Sequence, residues 1–340
     1  MEQIMAALDA ALVAAGHSST LLAARGSHAV GRLVAVDVGQ GELSGERLHG
    51  ARQRYRQALE ALLAQQHFDL LHFHGCDCAR YLSASPPGRA VPKLVTLHVP
   101  CDWYEPGMFE SDLGVRFSCV SEWQREQLAT RLSLCATIPN GVDLTRWRPL
   151  GQPPSDYVLC LGRISPEKGF DRALRAARRA GVPLLLAGRV FPYPEHLRYF
   201  AEQIAPLLDE QRRFLGPIAG TAKRRILARA RALLVVSRVP ETSSLAAMEA
   251  LACGTPVLVA SPGAPASLIE PGVTGLIVRD EIELAEAFER LSSLDRARCR
   301  ASAEQRFDLR QTTRRYLELY AQLLTAPPRS HAAFARELSA

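Results

Sequence analysis

The sequence predicts an α/β protein built from two doubly wound domains, each a parallel sheet covered on both faces by helices. Three observations predict it. Short, nearly unbroken apolar runs such as Pro183-Leu-Leu-Leu-Ala187 and Ala232-Leu-Leu-Val-Val-Ser237 read as strands buried on both faces. Those runs alternate with helical stretches, the order expected of parallel strands joined by crossover helices. Between residues 140 and 154 the pattern stops. Asn140-Gly-Val-Asp143 is followed by Pro149, Pro153 and Pro154 with no apolar periodicity, so the domain boundary falls there. The domains are thus 1–148 and 149–325, with the last helix expected to pack back on the first. A chain of 340 residues is long enough for two such cores.

The first half opens on an amphipathic helix over 2–15, with Ile4, Leu8, Leu12 and Val13 on one side and Gly16 at its end. Strands follow at 19–24 and 32–37, then a helix over 46–66. Further strands are expected at 70–74, 93–98, 116–120 and 135–138, with a helix over 121–131 capped by Ser121. The second half restarts with a strand at 157–161, a helix over 167–180 and a strand at 183–187. A helix over 195–209, a short strand at 214–215 and a helix over 221–230 come next. Strands at 232–237, 256–260 and 275–278 and helices to about 325 complete it. A doubly wound domain normally begins with its central strand and a glycine-rich turn. This sequence begins at the helix, so the first sheet is expected to lack its central strand. The favoured explanation is an upstream segment; a truncated relative is the alternative.

Composition narrows the function. The chain is 47% hydrophobic and 22% charged, a globular mixture, and carries no apolar run long enough to cross a bilayer. A cytoplasmic protein is expected. The formal net charge of +6 suits an anionic ligand, with peripheral membrane contact through Arg47 to Arg56 as the minor alternative. No basic stripe interleaved with aromatics appears, which argues against nucleic acid. The eight cysteines form no Cys-x-x-Cys pair and read as reduced thiols. Cys76 and Cys78 near His72 and His74 match no standard zinc spacing, so no metal site is expected.

The stretch with the most chemistry is Glu241-Thr-Ser-Ser-Leu-Ala-Ala-Met-Glu249-Ala-Leu-Ala-Cys-Gly254-Thr-Pro256-Val. It follows a buried strand; Ser243 and Ser244 are good N-caps, and Gly254 with Pro256 stops the helix. A helix N-terminus after a parallel strand is a ready anion site. A second loop, Gly162-Arg163-Ile-Ser-Pro-Glu-Lys168-Gly169, also follows a strand and carries two cations. Arg163 can clamp phosphate oxygens with its planar fork, and Lys168 supplies a compact charge.

These strings resemble the Glu-x7-Glu signature and the Gly-Arg-x5-Lys-Gly loop of glycosyltransferase family 4, retaining enzymes with the GT-B fold, in which two Rossmann-like domains face a cleft. The resemblance implies a glycosyltransferase that moves a sugar from a nucleoside-diphosphate sugar to an acceptor hydroxyl on a saccharide, lipid-linked or small molecule. It implies that Glu241 faces the donor sugar and Glu249 bonds the ribose. The backbone at Ser243, Ser244 and Leu245 would hold sugar and phosphate oxygens, and Gly162, Arg163 and Lys168 the diphosphate. Ile218, in Phe214-Leu-Gly216-Pro217-Ile218, would lie against the base. His98, ending Val95-Thr-Leu-His98, resembles the active-site histidine. Where the family has Gly-Phe-Gly after its first glutamate, this chain has Thr242-Ser243-Ser244, which leaves the donor sugar open. No Asp-x-Asp occurs, so neither metal nor cofactor is expected. Acceptor contacts would come from loops such as 100–112. A GT-B protein that binds its nucleotide sugar or a partner without catalysis is the alternative reading; a dinucleotide oxidoreductase lacks its Gly-x-Gly-x-x-Gly.

Overall fold

The computed structural model describes residues 2–39, 45–83, 91–105, 108–109, 114–129, 132 and 134–325. Residues 106, 107 and 110–112 of the expected acceptor loop lie outside the described residues. The chain forms two compact units, one of residues 1–139 with 311 onward and one of 140–310.

The first unit contains α1 (Glu2–Ala14), β1 (Thr20–Ala24), β2 (Arg32–Val36), α2 (Gly45–Gln65), β3 (Leu71–Phe73), β4 (Lys93–Leu97), β5 (Val115–Cys119), α3 (Glu122–Leu128) and β6 (Leu134–Thr137). All its strand pairs are parallel, but the sheet is in two pieces, β2-β1 and β3-β4-β5-β6. Among the described strands, nothing pairs the second edge of β1 or of β3. Both edges line one cavity of about 1680 Å³ together with α1, Tyr320 and Leu324. Leu22 of β1 and Leu71 of β3 nevertheless pack in one apolar cluster with Leu59 and Leu63 of α2. The two pieces therefore share one apolar layer, and among the described residues no strand joins them.

The second unit contains β7 (Val158–Leu161), α4 (Phe170–Arg179), β8 (Leu184–Ala187), α5 (Pro194–Tyr199), β9 (Arg212–Phe214), α6 (Gly220–Arg229), β10 (Leu233–Val235), α7 (Leu245–Ala252), β11 (Val257–Val259), β12 (Gly275–Ile277), α8 (Glu281–Ala287) and α9 (Arg296–Arg306); α10 (Leu309–Thr325) follows. Its six strands are all parallel in the order β12-β11-β10-β7-β8-β9. Alternate strand residues feed two cores, as the pleat requires. Val158, Cys160, Leu184, Leu186 and Leu234 face α4 and α8, while Leu159, Leu185, Leu233 and Val235 face α7. The chain order reverses between β7 and β10. In open α/β sheets that switch point is where the following loops diverge and ligands bind.

Two expectations are corrected. The units divide at 139/140 rather than at 148/149, and again at 310/311, which puts the last helix from residue 311 with the first unit, as expected. Residues 140–148 are tied into the second unit: the Val142 N–H donates to the Phe307 carbonyl at 2.8 Å, the Leu309 N–H to the Val142 carbonyl at 3.1 Å, and Trp147 is buried in that core. The helix expected over 195–209 is broken. α5 passes into a π-helical turn at Phe200–Ile204 and a 3₁₀ turn at Ala205–Leu207, where Pro206 has no N–H to continue the ladder.

Candidate functional site

The loops after β7 and β10 meet at the switch point. After β7 the chain passes Gly162 and Arg163 and makes a 3₁₀ turn, Pro166–Lys168, ended by Gly169 in the left-handed region at φ 63°. A Cβ at Gly169 would stand 2.5 Å from the Val236 carbonyl oxygen, so only glycine fits this close approach. The turn carries Lys168 to the end of β10. Its Nζ donates to Glu241 Oε1 at 2.8 Å, and the Ser237 hydroxyl bonds the same oxygen. Two residues predicted separately, 73 positions apart, thus form one ion pair that is mostly shielded from solvent. The Arg238 N–H donates to the Glu167 carbonyl at 2.8 Å and its guanidinium bonds the buried Asp171, which braces the two loops.

Glu241 is itself fixed by backbone. Its N–H donates to the Pro262 carbonyl and its carbonyl accepts from the Ala264 N–H at 2.8 Å. Ser244 then caps α7, accepting from the Ala247 N–H at 3.4 Å, and Ser243 Oγ accepts from the Asn140 amide at 3.1 Å. The first N–H groups of a helix have no intrahelical partner. Here they lie beside a cavity of about 310 Å³, which Ala246 lines with Gly162, Arg163, Arg189, Phe191, Pro217, Ile218 and Lys223. Arg163 is 42% exposed at the side chain and rests on Glu167 at 3.0 Å. The cavity therefore joins cations, a helix N-terminus and apolar walls, a combination suited to an anion carrying a flat apolar group.

Glu249 is placed differently from Glu241. It has no exposed surface, and its carboxylate meets Lys223 Nζ at 2.5 Å. Lys223 also lies over the Trp147 ring, 4.9 Å from its centre. Sequence reasoning missed Lys223, Arg189 and Phe191. One signal was available: Gly188-Arg189 after β8 repeats Gly162-Arg163 after the neighbouring β7.

His98 lies in the first unit, just after β4, and belongs to a buried group. Its Nε2 is 2.9 Å from His74 Nδ1, and its N–H donates to the Tyr104 hydroxyl at 2.8 Å. His72 bonds Tyr320 at 2.6 Å and Thr96 at 2.8 Å. Burial lowers the pKa of His98 and of His72 to about 3 and holds His74 well below its ordinary value, so these rings are neutral near pH 7. Among the described residues no group of three or more His, Cys, Asp or Glu side chains is placed to hold a metal ion.

A two-unit, parallel-sheet α/β chain with its candidate site at a switch point defines the GT-B class of glycosyltransferase folds, and solved structures of that class match it over nearly its whole length. Sucrose-phosphate synthase from Thermosynechococcus elongatus superposes with a TM-score of 0.79 at 22% identity, covering 94% of this chain and 92% of that one. Anabaena HepE, solved with UDP-glucose, gives 0.67 at 18% identity, covering 86% of each. Residues 1–146 match the family described as Glycosyltransferase Family 4, and residues 145–306 that described as Glycosyl transferases group 1. Each of these two matches covers just under half of the chain, and together they cover residues 1–306. D-inositol 3-phosphate glycosyltransferases from Saccharomonospora viridis and Rhodococcus erythropolis are 33% identical over 220 residues and 34% over 171. Those matches cover 56% and 44% of this chain but only 50% and 37% of the relatives' own lengths.

Proposed function

We propose that the protein is a retaining glycosyltransferase that moves a sugar from a nucleoside-diphosphate sugar to an acceptor hydroxyl without a metal ion. The Lys168–Glu241 pair beside the N-terminus of α7 carries the reading. It puts a cation for the diphosphate and a carboxylate for the donor sugar in contact, at the point where the resemblance to the family implies those two roles. UDP and UDP-glucose bound to Anabaena HepE support a nucleotide-sugar donor.

In this mechanism Arg163, Lys168 and the N–H groups at Ser243 to Leu245 bind the diphosphate. They stabilise the charge that grows on it as the bond from the anomeric carbon to the phosphate oxygen breaks. The acceptor oxygen bonds the anomeric carbon from the same face, and its proton passes to the departing phosphate oxygen. Glu241, held by Lys168 and Ser237, fixes the sugar. His98 serves as the active-site histidine of the first unit. Two cations in the loop, and the lack of any Asp-x-Asp in the sequence, support metal independence. The experiment is a transfer assay with α-linked UDP- and GDP-sugars, with and without EDTA, in which NMR reads the anomeric configuration of the product. An α-linked product formed at equal rate with the chelator is expected. A β-linked product, or loss of turnover with EDTA, overturns the mechanism. Nucleotide binding with no turnover on any acceptor would favour the catalytically impaired reading.

A further inference from the structure

His74 is buried beside His98, yet it takes no part in the mechanism so far. It follows β3 directly, as His98 follows β4, and the two strands are parallel neighbours. Nδ1 of His74 stands 2.9 Å from Nε2 of His98. The ring planes are 28° apart and the ring centres 5.2 Å apart, so the rings meet edge to edge, where a nitrogen has its lone pair or its N–H. Both rings are neutral near pH 7, so one of the facing nitrogens donates and the other accepts. That choice decides the far side of His98 as well. With the proton on Nε2 its Nδ1 is an acceptor, and with Nε2 accepting its Nδ1 carries the proton. His74 is held in turn from behind. Its side chain is 7% exposed and packs on His72, with 4.0 Å between ring centres. His72 is fixed at both nitrogens, by Tyr320 and by Thr96, and Thr96 is bonded to Ser118 at 2.8 Å.

We propose that His74 is a positioning residue for the reaction, holding both the ring of His98 and its tautomer through the Nδ1–Nε2 bond. The Tyr104 hydroxyl accepts from the His98 backbone N–H, so backbone and ring are each tied once. A His98 ring able to turn, or to move its proton between nitrogens, would meet a substrate in a mixture of states. This assignment rests on the reading that His98 is the active-site histidine.

Turnover of the 340-residue chain on α-linked UDP- and GDP-sugars, read as released UDP or GDP, tests it beside calorimetric binding of the same nucleotides. His74→Phe removes the ring nitrogens and is expected to lower kcat about tenfold or more. Nucleotide affinity, which the second unit sets, should stay within about twofold. The effect is expected to run through His98: in a His98→Ala background the same substitution should change the residual kcat by less than about twofold. His74→Asn, whose short amide can take the place of Nδ1, should keep most of the turnover, whereas His74→Gln, whose amide lies nearer the place of Nε2, should lose it. Melting curves confirm that the variants are folded, and the comparison of Asn with Gln decides the matter if His74→Phe does not fold. Unchanged kcat in folded His74→Phe, equal turnover of the Asn and Gln variants, or a loss undiminished in the His98→Ala background overturns the positioning role. Wild-type turnover in His98→Ala overturns the active-site reading of His98, and the assignment with it. Wild type that releases no nucleotide overturns the transferase reading itself.

Discussion

Replacing Gly188 by alanine forces apart the two strand ends on which the site is built. A Cβ at Gly188 would stand 1.7 Å from the carbonyl oxygen of Gly162, where ordinary contact begins at 3.4 Å. One backbone must therefore move by about 1.7 Å to restore contact distance. Neither is free to do so. The Gly162 N–H donates to the Ala187 carbonyl at 3.1 Å, and the Gly188 N–H to the Gly216 carbonyl at 2.9 Å. Overpacking of this kind costs about 1–3 kcal/mol, and losing one of the two hydrogen bonds adds about 1 kcal/mol. At about 2–4 °C per kcal/mol for a unit of this size, the melting temperature should fall by roughly 5–15 °C. Any shift of Gly162 also carries Arg163 away from the cavity, so nucleoside diphosphate affinity should drop by about tenfold. Scanning calorimetry and titration of Gly188→Ala read both. A melting temperature within about 2 °C of wild type, together with unchanged affinity, would refute the close-packed strand ends as the basis of the site.

Three further outcomes follow from the same geometry. A double-mutant cycle on Lys168→Ala and Glu241→Ala should give a coupling of about 1–2 kcal/mol in unfolding free energy, between exposed and fully buried pairs; coupling near zero would mean the pair does not form. His72, His74 and His98 have folded pKa values below the unfolded value of about 6.5. Their stabilising contribution is therefore complete above that pH and is lost as pH falls toward 3. Each proton taken up on unfolding steepens the loss by about 1.4 kcal/mol per pH unit; urea titrations at pH 7 and 5 should show this, and His72→Gln should flatten it. Gly169→Ala, at φ 63° and 2.5 Å from the Val236 oxygen, should cost at least about 1–2 kcal/mol by thermal melting; a neutral variant would show that the Lys168 turn is not held as described.

The doubly wound architecture and the two candidate loops were legible because their signals are contiguous. Residues 162–169 and 241–249 each sit in one string after an apolar run, and the switch between β7 and β10 brings them together. The Lys223–Glu249–Trp147 arrangement was not legible, since it joins α6, α7 and the linker across 26 and 76 positions; three cations opening α6 without an acid were its only trace. The boundary was misplaced for a related reason. The turn residues 140–154 do look like a linker, yet Val142, Leu144 and Trp147 are buried side chains of the second unit, and burial there depends on distant Phe307 and Asp308. Pro206 ended the helix predicted over 195–209, a local signal outweighed by the apolar pattern around it.

The account stands most directly on the claim that Arg163 and Lys168 bind the diphosphate. Titration of wild type with UDP and GDP, repeated with Arg163→Ala, Lys168→Ala and the distant Arg279→Ala, tests it in one series. The account predicts binding of at least one nucleotide by wild type and by Arg279→Ala, at least about tenfold weaker binding by the other two, and steeper salt dependence in the proteins that retain both cations. Equal affinity across all four proteins, or no binding by wild type, would contradict it.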